Sequence, residues 1–185
     1  MKYAIAAISA LAAASSARAE VVESNASGFV TQDEVVIEAA PSEVWQALVE
    51  PGRWWNGAHS WSGDAGNFSV TAEAGGCFCE ALPGGGSVEH MRVVYAAPDR
   101  MLRLSGALGP LQTEALGGSL TIELEETDDG TRVSWTYVVG GYSRFPLEQI
   151  APAVDAVQSE QLRRLHALLS TGDPEAQVVE NAPAG

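Results

Sequence analysis

The pattern of apolar and polar positions predicts one long amphipathic helix near the end of the chain, from Pro152 to Ser170. Its apolar positions recur at helical spacing: Val154, Val157, Leu162, Leu165, Leu168 and Leu169. Polar side chains occupy the positions between them: Asp155, Glu160, Arg163 and Arg164. Pro152 suits the first turn and Gly172 suits the end. The apolar stripe would be about 25 Å long at about 1.5 Å per residue, so we expect a sheet to cover it.

Upstream of this helix the pattern predicts one short helix and a series of β-strands. Pro41 to Val49 has helical spacing, whereas the segments from Phe29 to Ala39 and from Phe68 to Gly140 read as strands separated by turn residues. A hairpin around Asp128–Gly130 would put six apolar side chains on one face, in the opposed pairs Leu124 and Val133, Ile122 and Trp135, and Leu120 and Tyr137. These features predict an α+β fold with an antiparallel sheet that is dry on one face.

Both ends of the chain differ from this central part. Residues 1–19 have the basic start, short apolar run and Ala17-Arg18-Ala19 site of a secretory signal peptide. We expect residues 20–28 to be a flexible leader, residues 29–171 to be one domain, and residues 172–185 to be a disordered acidic tail. The chain is therefore expected to be exported, and periplasmic or secreted after cleavage near Ala19.

The charge of the chain restricts its partners. Ten Lys and Arg face 24 Asp and Glu, a formal charge of −14. Cleavage after Ala19 removes Lys2 and Arg18, which leaves eight basic residues and a formal charge of −16. Such a surface disfavours nucleic acid and anionic membrane surfaces, since both require positive patches. No later apolar run is long enough to span a membrane.

The order of these elements resembles the START-like, or SRPBCC, superfamily. The resemblance covers residues 29–170 and rests on a strand, the helix motif Pro41-x-x-Val44-Trp45-x-x-Leu48, the pair Trp54-Trp55, the segment Gly75-Gly76-Cys77-Phe78-Cys79-Glu80, a strand meander and a closing helix. The helix motif followed by Trp-Trp is similar to the branch related to activators of the heat-shock chaperone ATPase; polyketide cyclases belong to the same superfamily. The resemblance implies a helix-grip fold, in which a curved sheet wraps around the C-terminal helix and encloses an apolar cavity. It implies no single activity.

Two groups of residues are candidates for the wall of that cavity. The first group is aromatic: Trp54, Trp55, Trp61, Trp135, Tyr137 and Tyr142. The second group follows from a hairpin whose loop is Pro83 to Gly86, in which Cys79 lies opposite His90 and Cys77 lies opposite Arg92. These four side chains would share one face of the sheet. A polar cluster inside an otherwise apolar pocket is typical of ligand sites.

The two cysteines allow several interpretations. We interpret Cys77 and Cys79 as free thiols that pack as small apolar groups, with no cofactor bound. Zinc held by both thiolates and His90, and a nucleophilic cysteine paired with His90, are alternatives. A distorted or intermolecular disulfide is a further alternative, because neighbouring side chains on one face of a regular strand do not converge.

These observations favour an exported protein that binds an apolar, aromatic or lipid-like small molecule between the sheet and the C-terminal helix. One alternative is a cyclase-like or dehydratase-like enzyme that uses Tyr137, His90 or a cysteine as acid or base. Another is a protein-interaction module of the co-chaperone kind. The sequence leaves the ligand, the choice between carrier and enzyme, and the oligomeric state open.

Overall fold

The computed structural model describes residues 20–178, which form two α-helices, eight β-strands and four short 3-10 turns. The strands are β1 Glu20–Asn25, β2 Gly28–Ile37, β3 Phe68–Val70, β4 Cys77–Leu82, β5 Gly86–Ala97, β6 Met101–Ser105, β7 Ala115–Thr127 and β8 Gly130–Tyr142. The helices are α1 Pro41–Leu48 and α2 Leu147–Thr171. The fold is α+β, with the long C-terminal helix that the sequence predicts.

All eight strands belong to one antiparallel sheet in the order β1-β2-β8-β7-β6-β5-β4-β3. After β2 the chain crosses from one end of this order to the other through α1 and residues 49–67, and it then returns strand by strand to β8. The crossing segment therefore lies over the sheet face that a simple meander would leave open. This arrangement confirms the helix-grip fold.

The β7–β8 hairpin has the register that its apolar pattern predicts. Leu124 pairs with Val133, Ile122 with Trp135, and Leu120 with Tyr137. All six side chains are buried in the core. The two-residue alternation therefore identifies the inner face of the sheet correctly at its centre.

Helix α2 differs from its prediction at its start and in its buried face. The helix begins at Leu147, so Pro152 lies inside it rather than in its first turn. Of the six predicted apolar positions only Leu162 and Leu165 are fully buried. Four polar side chains are buried instead: Asp155, Gln158, Ser159 and Gln161. The reason is that polar atoms of β2, of β8 and of the crossing segment meet this face and offer hydrogen bonds.

The ends of the described chain are more ordered than expected. Residues 20–25, assigned above to a flexible leader, form β1 on the edge of the sheet beside β2. Two adjacent valines favour a strand there, and the Ser27 amide donates to the Asn25 side chain (2.8 Å) in the turn before Gly28. In the predicted disordered tail, Glu175 forms an ion pair with Arg164 (2.6 Å). The predicted signal peptide and residues 179–185 lie outside the described residues.

Candidate functional site

Tryptophan side chains fill the centre of the inner face, where the family resemblance implies a ligand cavity. The space that remains there is about 20 Å³, and its walls are apolar: Leu48, Pro51, Trp54, Trp55, Val70, Phe78, Leu102, Leu104, Leu120, Ile122 and Trp135. That volume has room for about one water molecule, whereas small-molecule sites measure about 300–1,000 Å³. We call this region the tryptophan core.

The indoles of the tryptophan core are packed and hydrogen-bonded in the manner of structural residues. The Trp54 ring lies 5.5 Å from that of Trp55 and meets the Trp135 ring edge-on at 6.2 Å. Trp54 Nε1 donates to the Ala47 carbonyl (2.8 Å), and Trp135 Nε1 donates to Gln158 Oε1 (2.8 Å). Both polar atoms are therefore satisfied inside the protein, and both rings belong to the core.

Helix α2 holds one side of the crossing segment through polar contacts. The Asn56 amide donates to Gln161 Oε1 (2.9 Å), and the Asn56 side chain donates to Glu160 (2.5 Å). Glu160 also pairs with His59 (3.0 Å), and Arg164 Nε donates to the Trp54 carbonyl (2.7 Å). These contacts fix residues 49–67, which we call the tryptophan-bearing loop, against the helix.

Glu80 and His90 hold the other side of the same loop against the sheet. The Glu80 carboxylate accepts from the backbone amides of Trp61 (3.1 Å) and Ser62 (2.5 Å) and lies 2.8 Å from His90 Nε2. The His90 ring packs against two aromatic rings, those of Phe68 and Phe78, with centroid distances of 5.0 and 5.2 Å.

The protonation states of this pair follow from burial and hydrogen bonding. Burial acts to raise the pKa of Glu80, but the donors around its carboxylate outweigh burial and leave that pKa below its usual range. Burial lowers the pKa of His90 despite the neighbouring carboxylate. The pair is therefore an ionised Glu80 and a neutral His90 that donates its Nε2–H.

The structure corrects the predicted cluster of cysteines, histidine and arginine. Cys77 lies opposite Arg92 as predicted, but Cys79 lies opposite Glu89, because the register shifts between Phe78 and Cys79. His90 therefore turns inward to Glu80, while Arg92 stays exposed and pairs with Glu89 (2.6 Å). The four side chains do not form one inward-facing site.

Cys77 and Cys79 form a disulfide, so the interpretation as free thiols is wrong. Their Cα atoms are 5.3 Å apart, closer than the about 6.6 Å expected for two steps of a regular strand. A Cα separation of 5.3 Å lies within the range that disulfides span. A disulfide leaves no thiolate to bind zinc, and it leaves no free cysteine to act as a nucleophile. Residues 20–178 contain no group of three or more His, Cys, Asp or Glu side chains that could hold a metal.

A second space lies between β2, the C-terminal half of α2 and the chain that follows α2. This space, which we call the edge cleft, measures about 540 Å³. Its lining residues are Asp33, Glu34, Val35, Ser159, Glu160, Leu162, Arg163, Arg164, His166, Pro174, Glu175, Ala176, Gln177 and Val178. Its size is typical of small-molecule sites. It also lies between the sheet and the C-terminal helix, although its walls combine apolar and charged groups.

Asp33 and Ser159 form a buried polar pair in the wall of the edge cleft. Asp33 is only 6% exposed, and burial raises the pKa of its carboxyl group above the usual value, although Ser159 and Arg163 act in the opposite direction. Ser159 Oγ lies 2.7 Å from Asp33 Oδ2 and 2.8 Å from the Asp155 carbonyl. A hydroxyl has one hydrogen to donate. A protonated Asp33 would donate to Ser159 and leave that hydrogen for the Asp155 carbonyl.

The predicted cavity residues do not line the edge cleft in the described part of the chain. Trp54, Trp55 and Trp135 lie in the tryptophan core, whereas Trp61 and Tyr142 are 52% and 72% exposed. The aromatic character of these residues alone does not distinguish the buried positions from the exposed ones.

Tyr137 is buried beside the loop that precedes β7. Its hydroxyl accepts from the Leu108 amide (3.1 Å), and burial raises its pKa to about 12. A phenol with this pKa, enclosed by protein, is poorly suited to the acid or base role considered above.

The sequence contained a signal for Asp33 that the aromatic pattern obscured. Asp33 has the same parity as Phe29, Val35 and Ile37 along β2, so the alternation places its carboxyl on the inner face. A carboxylate at a buried strand position indicates a buried partner or a functional site. Its partner Ser159 lies 126 residues further along the chain, which no local pattern reveals.

Comparison with known proteins agrees with this architecture. Residues 29–170 match the family described as polyketide cyclase / dehydrase and lipid transport. No curated protein matches the sequence. Solved structures with the same fold include protein MLL2253 from Mesorhizobium loti, which is 19% identical with a TM-score of 0.56 and covers 78% of this chain and 98% of its own.

Two further structures extend the likeness. Protein SA2116 from Staphylococcus aureus is 15% identical with a TM-score of 0.56, over 82% of this chain and 98% of its own. The Aha1 dimer from Colwellia psychrerythraea is 20% identical with a TM-score of 0.53, over 77% and 97%. At these identities the likeness concerns the fold alone.

The family description supports a ligand-binding cavity in general. Among residues 20–178 no helix is long and apolar enough to cross a membrane.

The match over residues 29–170, together with the helix-grip architecture, establishes that this chain belongs to the polyketide cyclase / dehydrase and lipid transport family of the START-like (SRPBCC) superfamily.

Proposed function

We propose that this chain is an exported protein that binds an amphiphilic small molecule in the edge cleft. The observation that carries the proposal is a cleft of about 540 Å³ between β2 and α2 with a buried carboxyl group in its wall. The tryptophan core offers only about 20 Å³, so a ligand there would have to displace packed indoles.

The lining of the edge cleft supports a ligand with an apolar body and a polar head. Val35 and Leu162 line the cleft together with apolar residues of the segment that follows α2, namely Pro174, Ala176 and Val178. Asp33 and Ser159 provide oxygen atoms that accept a hydrogen bond from a hydroxyl group of the ligand. A lipid-like or aromatic alcohol has this combination of groups.

Two features support export. The first 19 residues have the composition of a signal peptide. The Cys77–Cys79 disulfide fits an oxidising compartment such as the periplasm or the extracellular space. Fractionation of the native host, with N-terminal sequencing of the mature protein, tests this part: a chain that starts near Glu20 supports export, and an intact N-terminus in the cytosol contradicts it.

The ligand is tested by native mass spectrometry of the mature protein purified from its host, before and after denaturation. We expect a bound small molecule that denaturation releases. In the variant Ala176→Trp an indole would fill the edge cleft, and bound ligand should fall at least tenfold. The control Ala153→Trp adds the same indole at an exposed position of α2 outside the cleft and should retain the ligand. Full retention by Ala176→Trp would contradict the proposed site.

A second candidate is a dehydratase-like enzyme, which the position of Asp33 favours. At a pH below its raised pKa, the carboxyl group of Asp33 could act as general acid toward a leaving hydroxyl group. Asp33→Asn should then abolish turnover of the bound molecule while leaving its binding within about threefold, because the amide keeps the shape and loses the transferable proton. Equal turnover by the variant would exclude this role.

A further inference from the structure

We propose that the Cys77–Cys79 disulfide is a redox-active site that a dithiol reduces reversibly, and that its redox state alters the contacts of the tryptophan-bearing loop. This inference is independent of the ligand site, since neither cysteine lines the edge cleft or the tryptophan core among the described residues. It rests on the position of the disulfide, on the charges opposite it and on the register of β4 against β5.

The position of the disulfide means that it adds little to the stability of the folded chain. The two cysteines are separated by one residue, so the bond closes a very small loop. In the chain-entropy account, stabilisation by a disulfide grows with the length of the loop that it closes. Both cysteines are also only half-buried, so a dissolved or protein dithiol has access to the sulfur atoms.

The side chains opposite the disulfide form an ion pair, in which Arg92 lies 2.6 Å from Glu89. Cys77 lies opposite Arg92, whereas Cys79 lies opposite Glu89. A guanidinium stabilises a nearby thiolate, and a carboxylate disfavours one. Because the two charges are paired, each offsets the other in the native protein, and removing one of them exposes the sulfurs to the other. By strand position Cys77 lies opposite the guanidinium, so we expect Cys77 to be the leaving group and an incoming thiolate to attack the sulfur of Cys79.

The reaction is an ordinary two-electron exchange. The thiolate of the dithiol bonds to Sγ of Cys79 and breaks the Sγ–Sγ bond, and Cys77 leaves with the electron pair. The second thiol of the reductant then attacks the mixed disulfide and releases Cys79. The reductant ends as a cyclic or intramolecular disulfide, and the protein ends with two thiols after taking up two protons.

The strand register connects this bond to the loop. Phe78 pairs with Met91 and Cys79 pairs with Glu89, so His90 is an extra residue in β5. As a result both His90 and Met91 are buried, and His90 reaches Glu80, which holds the amides of the loop. The disulfide keeps β4 contracted beside this irregularity. Without the bond, β4 can lengthen by about 1.3 Å towards regular strand geometry, which moves Glu80 relative to His90 and weakens the contact between them.

The rate of reduction tests the reactivity of the bond. The mature oxidised protein is exposed to dithiothreitol without denaturant, and iodoacetamide labelling with intact-mass analysis counts free thiols over time. We expect two labels per chain under native conditions. Reduction should be about threefold slower in Arg92→Gln, which leaves the Glu89 carboxylate unpaired against the thiolates, and faster in Glu89→Gln, which frees the Arg92 guanidinium to stabilise them. Both side chains are exposed, so both variants should fold. Reduction that requires denaturant, or equal rates in both variants, would overturn the proposal.

Tryptophan fluorescence tests the connection to the loop. Reduction should change the emission of the native protein, and reoxidation should restore it. Cys77→Ser/Cys79→Ser should show the reduced spectrum and should not respond to dithiothreitol. An unchanged spectrum after complete reduction would overturn the connection, and a mature native protein that contains two free thiols from the outset would overturn the proposal as a whole.

Discussion

The tryptophan core and the edge cleft both lie beneath elements that cover the sheet, yet they differ in almost every physical property. The core is apolar and leaves about 20 Å³ unfilled, whereas the cleft leaves about 540 Å³ and has a buried carboxyl group in its wall. The difference arises because the crossing segment carries two indoles into the centre of the face. In this chain, side chains therefore occupy the position where the family resemblance implies a ligand.

The same comparison explains where polar groups are used. Around the core, Glu80, Gln161 and Arg164 accept or donate hydrogen bonds that hold the loop in place. In the cleft, the Asp33–Ser159 pair faces a space large enough for a ligand. The polar groups around the core form hydrogen bonds within the protein, whereas those in the cleft can contact a second molecule.

Removing an indole from the core should have the largest effect on stability. Trp54→Ala leaves a cavity at a side chain that is 2% exposed, so we expect the free energy of unfolding to fall by about 3–5 kcal/mol. Trp61→Ala is the matched control. Because Trp61 is 52% exposed, this variant should lower the free energy of unfolding by about 0.5 kcal/mol or less. Guanidinium titration measures both. Similar losses for the two variants would mean that the core indoles are not packed as described.

Neutralising Glu80 should have the next largest effect. Glu80→Gln removes the negative charge that accepts hydrogen bonds from several donors, and it places an amide N–H where one of those donors points. We expect the free energy of unfolding to fall by about 1–3 kcal/mol. Urea unfolding at neutral pH is the measurement. As a control, Glu89→Gln alters an exposed carboxylate in the neighbouring strand and should leave the free energy of unfolding nearly unchanged.

The Glu80–His90 pair also predicts how stability depends on acid. The pKa of His90 is lower in the folded chain than its ordinary value of 6.5, so the unfolded chain binds the proton more readily and stability declines as pH falls through about 6.5. The pKa of Glu80 is also lower when folded, so its contribution is present above its ordinary value of 4.5 and is lost as pH falls through the folded value. His90→Gln should flatten the decline near pH 6.5. An unaltered profile would contradict a neutral buried His90.

Asp33 should give a smaller effect of the opposite sign. Its pKa is raised on folding, so its contribution is most favourable below the ordinary value of 3.8 and is lost as pH rises from there through the folded value. Asp33→Asn should therefore raise the melting temperature at pH 8 relative to the wild type and raise it less, or not at all, at pH 4. Thermal unfolding followed by circular dichroism checks this. A variant that is less stable at pH 8 would show that the ionised carboxylate is needed there.

Local patterns predicted the sheet more successfully than the site. The alternation of Ile122 and Trp135 fixed the inner face and the register of β7 and β8, because one buried face tolerates no slip. The same reasoning failed at β4 and β5, where an extra residue turns His90 inward. A bulge of this kind depends on the tertiary environment, which no local pattern of residues contains. The buried polar face of α2 was missed for the same reason, since its partners lie far away in the chain.

A crystal structure of the mature protein with its co-purified ligand tests the central claim most directly. We expect ligand density in the edge cleft, with a polar atom of the ligand within hydrogen-bond distance of Asp33 or Ser159 and with Trp54, Trp55 and Trp135 still packed against one another. Ligand density among those three indoles, with the edge cleft filled only by solvent, would contradict it.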